Sequence, residues 1–292
     1  MQKRPSWVKV RAPTESQAAG IRQVREALDR HRVRTVCQGA LCPNAVECWG
    51  ARTATFMILG GVCTRACRFC GVPTGDPGGR VDEGEPARVA EAILELGLRH
   101  VVITSVDRDD LEDGGSGLFA ETVERIKRAS SSVVVEALIP DFSADPRALN
   151  RILWSGADVI GHNVETVESV TFECRDRRAG YRKSLNVLRY LRASGRGRSV
   201  LLKSGLMLGL GERRREILAT FDDLREAGVE ILTVGQYLQP TTKAIPTVRY
   251  VPPEEFDELA EEARRRGFAA VVAGPLVRSS YHAAEAYRTA CG

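Results

Sequence analysis

Six short apolar runs alternate with amphipathic stretches in the middle of this 292-residue chain. The runs cover residues 55–59, 100–105, 133–139, 158–163, 200–203 and 229–237. Strands that alternate with helices form a parallel sheet, and right-handed crossovers curl such a sheet toward a barrel. Six units are too few for a full eight-stranded barrel. The sequence therefore predicts an α/β fold, a partial (βα)6 barrel of the TIM type, with N- and C-terminal extensions.

Helical periodicity fills the intervals between the apolar runs. It predicts helices at residues 85–96, 119–129, 146–155, 183–194 and 213–226, and two more at 15–31 and 254–266. In parallel barrels the functional residues lie where strands end. We therefore expect the segments that follow the strands to form one functional edge.

The eight cysteines indicate bound metal. No apolar run reaches membrane-spanning length and the N-terminus does not read as a signal peptide, so we expect a cytoplasmic, reducing environment. Clustered thiols in such an environment bind metals more often than they form disulfides. The formal net charge of +4 is spread without a basic stripe. We therefore expect neither a nucleic acid nor a membrane as a partner.

Cys63, Cys67 and Cys70 form a C-x3-C-x2-C loop directly after the first predicted strand. Iron–sulfur clusters are held by closely spaced cysteine thiolates. Three cysteines leave one iron of a four-iron cluster without a protein ligand, and an open metal site can bind a substrate. Zinc is the alternative, but it usually takes four ligands from paired C-x2-C units, and this loop has one such pair.

A second triplet, Cys37, Cys42 and Cys48, lies upstream with C-x4-C-x5-C spacing. Beside the first triplet it predicts a second metal site that also lacks one ligand. Three buried thiols without metal are the alternative. Cys174 and Cys291 stand alone, and we interpret them as incidental.

The C-x3-C-x2-C loop resembles the radical S-adenosylmethionine (SAM) superfamily. That resemblance implies a [4Fe-4S] cluster whose open iron binds SAM, and cleavage of SAM to a 5′-deoxyadenosyl radical. Residues 205–212 resemble the stretch that packs near adenine in that superfamily, with Met207 in place of isoleucine. An ordinary strand-to-helix turn explains the same residues.

A closer resemblance, to lipoyl synthases, runs from near residue 4 to residue 282. It is carried by the paired cysteine triplets and by the ending Arg278-Ser279-Ser280-Tyr281. Further matching stretches are residues 7–11, 53–60, 102–111, 139–142, 162–167 and 235–240. Residues 173–181 depart from the family pattern, which has a Val-Arg-Pro-Gly-Ala-like segment there.

The resemblance implies insertion of two sulfur atoms, at C6 and C8 of an octanoyl chain attached to a lysine of a lipoyl carrier domain. One SAM is consumed for each sulfur. The second [4Fe-4S] cluster donates the sulfur and is dismantled. The family's fourth ligand to this cluster is a serine, which corresponds here to Ser280, with Ser279 as the alternative.

The resulting site has three parts. The catalytic residues are Cys63, Cys67, Cys70 and Ser280, and the metal ligands are these four with Cys37, Cys42 and Cys48. Asn163 and Glu165 follow the fourth strand, where an amide and a carboxylate suit the ribose of SAM. Lys203 suits a carboxylate, although a surface or salt-bridged lysine is an equal alternative. Ser105, with Asp107 and Arg108, is expected at the methionyl end.

The resemblance also implies partners. They are an octanoylated 2-oxoacid dehydrogenase E2 or glycine cleavage H protein, an electron donor such as ferredoxin or flavodoxin, and an iron–sulfur carrier. We predict three regions: an extension with the upstream cysteines (1–52), the partial barrel (53–250) and an extension with the serine ligand (251–292). The alternatives are a biotin synthase-like enzyme, a two-cluster electron carrier and a zinc-binding interaction module.

Overall fold

A computed structural model describes residues 4–8, 14–39, 44–50, 55–194, 197 and 199–292. Its eight strands, β1 to β8, are arranged in the order of the chain. The chain forms two compact units, here called the N-terminal unit (mainly Val10–Arg65 and Val72–Ile160) and the C-terminal unit (mainly Ala66–Gly71 and Gly161–Gly292). Among the described helices, none is long and apolar enough to cross a membrane.

The N-terminal unit alternates strands and helices. Its strands are β1 (Arg34–Thr35), β2 (Thr55–Ile58), β3 (His100–Ser105) and β4 (Val134–Leu138), and β5 (Val159–Gly161) lies at its boundary. Its helices are α1 (Glu15–His31), α2 (Val36–Gly39), α3 (Ala45–Gly50), α4 (Glu85–Glu95), α5 (Ser116–Ala129) and α6 (Pro146–Trp154). β2, β3 and β4 run parallel, whereas the two residues of β1 pair antiparallel with β2.

The parallel strands of the N-terminal unit are buried on both faces and form its core. All four residues of β2 are buried, and Phe119 of α5 packs edge-on against Phe142 at 6.4 Å between ring centroids. Gly115 precedes α5 with a φ of 83°, and a side chain there would overlap Leu59. Glycine is required at this turn because it tolerates a positive φ and leaves room for the leucine.

The C-terminal unit continues the alternation. Its elements are α7 (Glu168–Cys174), α8 (Tyr181–Ala193), β6 (Leu201–Leu208), α9 (Arg214–Glu226), β7 (Ile231–Gln236), α10 (Pro253–Arg265), β8 (Ala270–Gly274) and α11 (Ala283–Cys291). β6, β7 and β8 pair in parallel. One apolar cluster fills the space between these strands and their helices, and Phe221, Tyr237 and Phe256 are among its largest members.

The predicted α/β alternation is confirmed. Five of the six apolar runs contain a strand, and each predicted helix is present to within about three residues at either end. The run at 200–203 marks only the beginning of β6, which continues to Leu208. The sheet has two strands more than predicted. β8 pairs with β7 because α10 and a short apolar run complete another strand–helix unit, and β1 is too short to show a periodicity. The division at residues 52 and 250 stays a prediction.

Phe221 tests the core of the C-terminal unit. Its side chain is fully buried and meets the Phe268 ring edge-on at 6.2 Å. We expect Phe221→Ala to lower the free energy of unfolding by about 3–5 kcal/mol, because it removes buried apolar surface and leaves a cavity. Urea unfolding midpoints measure this loss. Phe172, which is 84% exposed, is the matched control, and equal losses in Phe172→Ala and Phe221→Ala would contradict this account of the core.

Candidate active site

Cys63 lies in a loop of the N-terminal unit that is held by backbone hydrogen bonds. Its N–H donates to the Pro73 carbonyl at 2.9 Å, and its own carbonyl accepts from the Gly75 N–H at 2.9 Å. The Arg65 N–H donates to Cys63 Sγ at 3.4 Å. Burial raises the pKa of the Cys63 thiol, and this N–H opposes the rise because it favours the thiolate. The sulfur is therefore oriented by its own loop.

The side chain of Arg65 fixes the same loop to the ends of two strands. Its guanidinium donates to Asp141 at 2.7 and 2.8 Å and to Asp109 at 2.8–3.3 Å, and it lies 3.2 Å from Asp107. Only 3% of the arginine side chain is exposed. Burial opposes its charge, but the hydrogen bonds to Asp141 and Asp109 outweigh burial and raise the pKa of Arg65. The guanidinium is thus a permanent cation that holds three carboxylates together.

A cavity of about 340 Å³ lies beside this network within the N-terminal unit and is lined in part by Arg65, Asp107 and Arg108. Arg108 is buried, and its guanidinium already has hydrogen-bond partners. It donates to both Asp110 oxygens at 2.8 Å and to the carbonyl of Leu59 at 3.2 Å. Its contacts therefore join the loop after β2 to the loop after β3. The expected role of Arg108 at the methionyl end of SAM stays a prediction.

Cys67 and Cys70 belong to the C-terminal unit. The Cys70 N–H donates to the Cys67 carbonyl at 3.1 Å, which closes a turn between them. Cys67 Sγ accepts the Asp176 N–H at 3.3 Å, and Cys70 is exposed. Backbone donors to sulfur suit a thiolate ligand, because they stabilise negative charge on the sulfur. Both Cys63 and Cys67 have such a donor.

Asn163, Glu165 and Lys203 come together in the C-terminal unit. Glu165 has a φ of 68°, which is rare for a residue other than glycine. Two backbone hydrogen bonds hold it there, from the Glu165 N–H to the Gly205 carbonyl at 3.1 Å and from the Met207 N–H to the Glu165 carbonyl at 2.8 Å. Lys203 lies on β6 with 2% of its surface exposed. The fourth and fifth predicted strands thus deliver these residues to neighbouring positions.

Two of the predicted SAM contacts, one in each unit, have a buried polar atom with no hydrogen-bond partner among the described residues. The atoms are Asn163 Oδ1 and, in the N-terminal unit, Ser105 Oγ at the end of β3. A side chain at Gly205 would approach Asn163 Oδ1 to 3.3 Å and overlap the Thr233 hydroxyl, so glycine keeps this space open. Buried polar atoms normally have partners. Each of these two atoms can therefore bond a polar ligand.

The serine pair near the C-terminus also lies in the C-terminal unit. Asn163 Nδ2 donates to Ser279 Oγ at 2.7 Å. The residue expected at the ribose of SAM therefore contacts the residue next to Ser280. The assignment of Ser280 as a metal ligand, with Ser279 as the alternative, stays a prediction.

Two of the three upstream cysteines lie on short helices of the N-terminal unit. Cys37 is on α2, which packs against β1 and β2, and Cys48 is on α3, which packs against α1. Cys42 lies outside the described residues. Within the described ranges, no three His, Cys, Asp or Glu side chains form a site for a single metal ion. A cluster spreads its ligands over several irons.

Comparisons with known proteins identify the family. Residues 57–224 match the model of the Radical SAM superfamily. A protein of Pyrobaculum aerophilum named "Lipoyl synthase" is 53% identical over 288 residues, which cover 98% of this chain and 97% of that protein. This chain belongs to the lipoyl synthase family. A Halorhodospira halophila protein of the same name is 52% identical, with 96% of this chain and 83% of that protein covered.

The fold agrees with this membership. The structure of Streptococcus suis SuiB bound to S-adenosylmethionine matches with a TM-score of 0.56 at 12% identity, covering 78% of this chain and 54% of SuiB. At that identity the likeness shows the fold alone, and it confirms the predicted partial barrel. As a member of the lipoyl synthase family, the chain is an enzyme of the radical SAM type, and the superfamily implies a [4Fe-4S] cluster and SAM.

Three site features were missed by the sequence analysis. They are the pairing of Arg65 with Asp141, the contact of Asp176 with Cys67, and Arg175, which bonds Ser184 and whose Nε is buried without a partner among the described residues. Arg65 lies between two of the predicted ligands and Asp141 in a matching stretch, so both were visible as candidates. Their pairing was not, because 76 residues separate them.

Arg65→Met tests the buried ion network. We expect it to lower the free energy of unfolding by about 3–5 kcal/mol, because Asp141, with 1% of its side chain exposed, would lose the cation that compensates its charge. Denaturant midpoints of the wild type and the variant measure the loss. Arg147→Met, which removes an ion pair from an 81% exposed side chain, should leave the midpoint unchanged. A midpoint for Arg65→Met equal to that of Arg147→Met would refute this role.

Proposed function

We propose that this chain inserts two sulfur atoms, at C6 and C8 of an octanoyl chain held as an amide on a lysine of a lipoyl carrier domain, and so forms the lipoyl cofactor. The observation that carries the proposal is the 53% identity over 98% of the chain to a protein named "Lipoyl synthase". The paired cysteine triplets and the Ser279-Ser280 ending support it, because sulfur insertion needs both a radical source and a sulfur source.

Cys63, Cys67 and Cys70 are the proposed ligands of the [4Fe-4S] cluster that binds SAM. The N–H donors to Cys63 and Cys67 support this assignment, because they favour the thiolate form that iron requires. When bound, the cluster and SAM together supply the radical that removes hydrogen from the octanoyl chain. The residues of this chain orient the two sulfurs through neighbouring backbone groups.

Ser105, Asn163, Glu165 and Lys203 are the proposed SAM contacts. Asn163 Oδ1 and Ser105 Oγ are buried and lack partners among the described residues. The amide oxygen can accept a hydrogen bond from a ligand, and the hydroxyl can accept or donate one, without breaking an existing bond. Glu165 holds a rare backbone conformation, and such conformations concentrate at functional sites. Lys203 offers a positive charge for a carboxylate. One SAM is consumed for each sulfur inserted.

A second [4Fe-4S] cluster is the proposed sulfur donor and thus a substrate that is dismantled. Its ligands are Cys37, Cys42, Cys48 and Ser280. A serine oxygen is a harder donor than a thiolate and suits iron–sulfur chemistry less well. The Ser280 corner is therefore where this cluster opens most readily.

The proposed partners follow from this reaction. The substrate protein is an octanoylated lipoyl carrier domain, from a 2-oxoacid dehydrogenase E2 or a glycine cleavage H protein. A ferredoxin or flavodoxin would donate electrons and an iron–sulfur carrier would rebuild the spent cluster. A reducing, cytoplasmic location would keep the thiols available.

Product analysis tests the division of labour between the triplets. The protein is reconstituted with iron and sulfide in the absence of oxygen and is supplied with SAM, a reductant and an octanoyl-lysine peptide. Mass spectrometry should then detect peptide with two added sulfur atoms. Replacing Cys37, Cys42 and Cys48 with alanine should abolish that product and leave 5′-deoxyadenosine formation partly intact. Loss of both activities in protein that still holds the first cluster would contradict the assignment.

The two serines can be separated by substitution. We expect Ser280→Ala to lower the yield of the sulfur-containing product more than a hundredfold, because it removes a ligand. Ser279→Ala should cost about tenfold at most, since it removes one hydrogen bond, from Asn163, worth about 1 kcal/mol. Iron content per chain and product yield measure the difference. A larger loss of iron in Ser279→Ala than in Ser280→Ala would contradict this assignment and make Ser279 the cluster ligand.

A further inference from the structure

The last residues of α7 and the segment that follows them, residues 173–181, are bonded to the loop that carries Cys67. The Arg68 N–H donates to the Cys174 carbonyl at 2.7 Å, and the Arg68 guanidinium donates to the Glu173 carbonyl at 3.1 Å. All of these residues belong to the C-terminal unit. This segment is also where the sequence departs from the family pattern. The segment that departs from the family pattern therefore contacts the loop of a predicted cluster ligand.

Asp176 makes the contacts of this segment that lie nearest to sulfur. Its main-chain N–H donates to Cys67 Sγ at 3.3 Å, and its carboxylate accepts the Ala66 N–H at 2.8 Å. One residue thus bonds the sulfur and the backbone beside it. The two bonds together fix the direction in which the N–H points.

The carboxylate of Asp176 is itself held in place. Arg178 donates to it through its main-chain N–H and its Nε at 2.9 Å each and through Nη2 at 3.1 Å, and only 9% of the Asp176 side chain is exposed. These bonds keep the pKa of Asp176 below its ordinary value. Since Arg178 balances the negative charge, the carboxylate acts on Cys67 through geometry and contributes little net field.

A hydrogen bond to a cluster sulfur changes the redox equilibrium of the cluster. Reduction adds negative charge that spreads onto the ligating thiolates, and an N–H dipole aimed at sulfur stabilises that charge. Hydrogen bonds to sulfur, net charge and solvent exposure together set the reduction potentials of iron–sulfur clusters. An N–H on Cys67 therefore makes a cluster there easier to reduce.

We propose that Asp176 is a positioning residue for the SAM-binding cluster: its N–H bonds Cys67 and raises the reduction potential, and its carboxylate anchors that N–H to Ala66. The inference rests on the proposed function, because it takes Cys67 as a cluster ligand. It extends that proposal by assigning a role to a residue outside the cysteine triplets and the SAM contacts.

Three substitutions separate the two bonds. Asp176→Asn keeps the N–H and an oxygen for Ala66, Asp176→Ala keeps only the N–H, and Asp176→Pro removes both. Proline is sterically acceptable here with respect to the preceding residue, because Arg175 has φ −97° and ψ 159°, within the range that residues before proline adopt. Each change is made in the full chain with Cys37, Cys42 and Cys48 replaced by alanine, so that one cluster is measured.

Potentiometric titration followed by electron paramagnetic resonance is the first measurement. Asp176→Asn is the reference for the other two variants, because all three remove the carboxylate charge that Arg178 balances. Asp176→Pro should be about tenfold harder to reduce at equilibrium, a shift of about 59 mV to more negative potential for one electron. A potential for Asp176→Pro equal to that of Asp176→Asn would overturn the inference.

The rate at which a chelator removes iron is the second measurement and does not depend on the proline variant. Asp176→Ala should lose iron about tenfold faster than Asp176→Asn, because partners that orient a metal ligand contribute at least that much to metal retention. Equal rates would overturn the anchoring role. A parent chain that holds no cluster would instead disprove the cysteine assignment in the proposed function, and this inference with it.

Discussion

Parallel pairing of consecutive strands is the constraint on which both units depend. Strands that pair in parallel deliver their carboxyl ends to the same edge, and each must be followed by a crossover. Within the N-terminal unit, this geometry brings the loops after β2, β3 and β4 close enough for Arg65 to bond three aspartates. Within the C-terminal unit, it sets the end of β5 beside β6, where Glu165 bonds Gly205.

The sulfur atoms of Cys63 and Cys67 are oriented by backbone N–H groups. The Arg65 N–H meets Cys63 and the Asp176 N–H meets Cys67, and each of these donors is tied down by a side-chain network. The networks differ in kind. Arg65 is a buried cation among carboxylates, whereas Asp176 is a carboxylate balanced by Arg178 nearer the surface. In each case an arginine–aspartate ion pair holds the segment that supplies the N–H donor.

Hydrogen bonding also connects the parts of the C-terminal unit that have separate proposed roles. Asn163 donates through one amide atom to Ser279, while its other amide atom is buried and without a partner among the described residues. A ligand that donates a hydrogen bond to Asn163 Oδ1 would therefore bind the same side chain that contacts Ser279. Side-chain amides are well suited to such a position because they donate and accept at once.

Local sequence patterns were sufficient for much of this structure. Largely apolar runs, at 100–105 and 229–237, mark strands such as β3 and β7, because strands of a parallel sheet are buried on both faces. Amphipathic periodicity located α1 and α10 for a similar reason. Cysteine spacing and the serine ending pointed to the family, since ligands close in sequence leave a signature in spacing alone. β1 left no such signature, because two residues show no period.

The tertiary structure decided what surrounds those residues. The amino-acid sequence by itself determined most of the strands, the longer helices and which thiols are candidate ligands, because all of these depend on spacing along the chain. The pairing of Arg65 with Asp141, of Asp176 with Cys67 and of Asn163 with Ser279 was decided only by folding. Each pair joins residues at least 76 positions apart, and a hydrogen bond between such distant residues depends on the path of the whole chain between them.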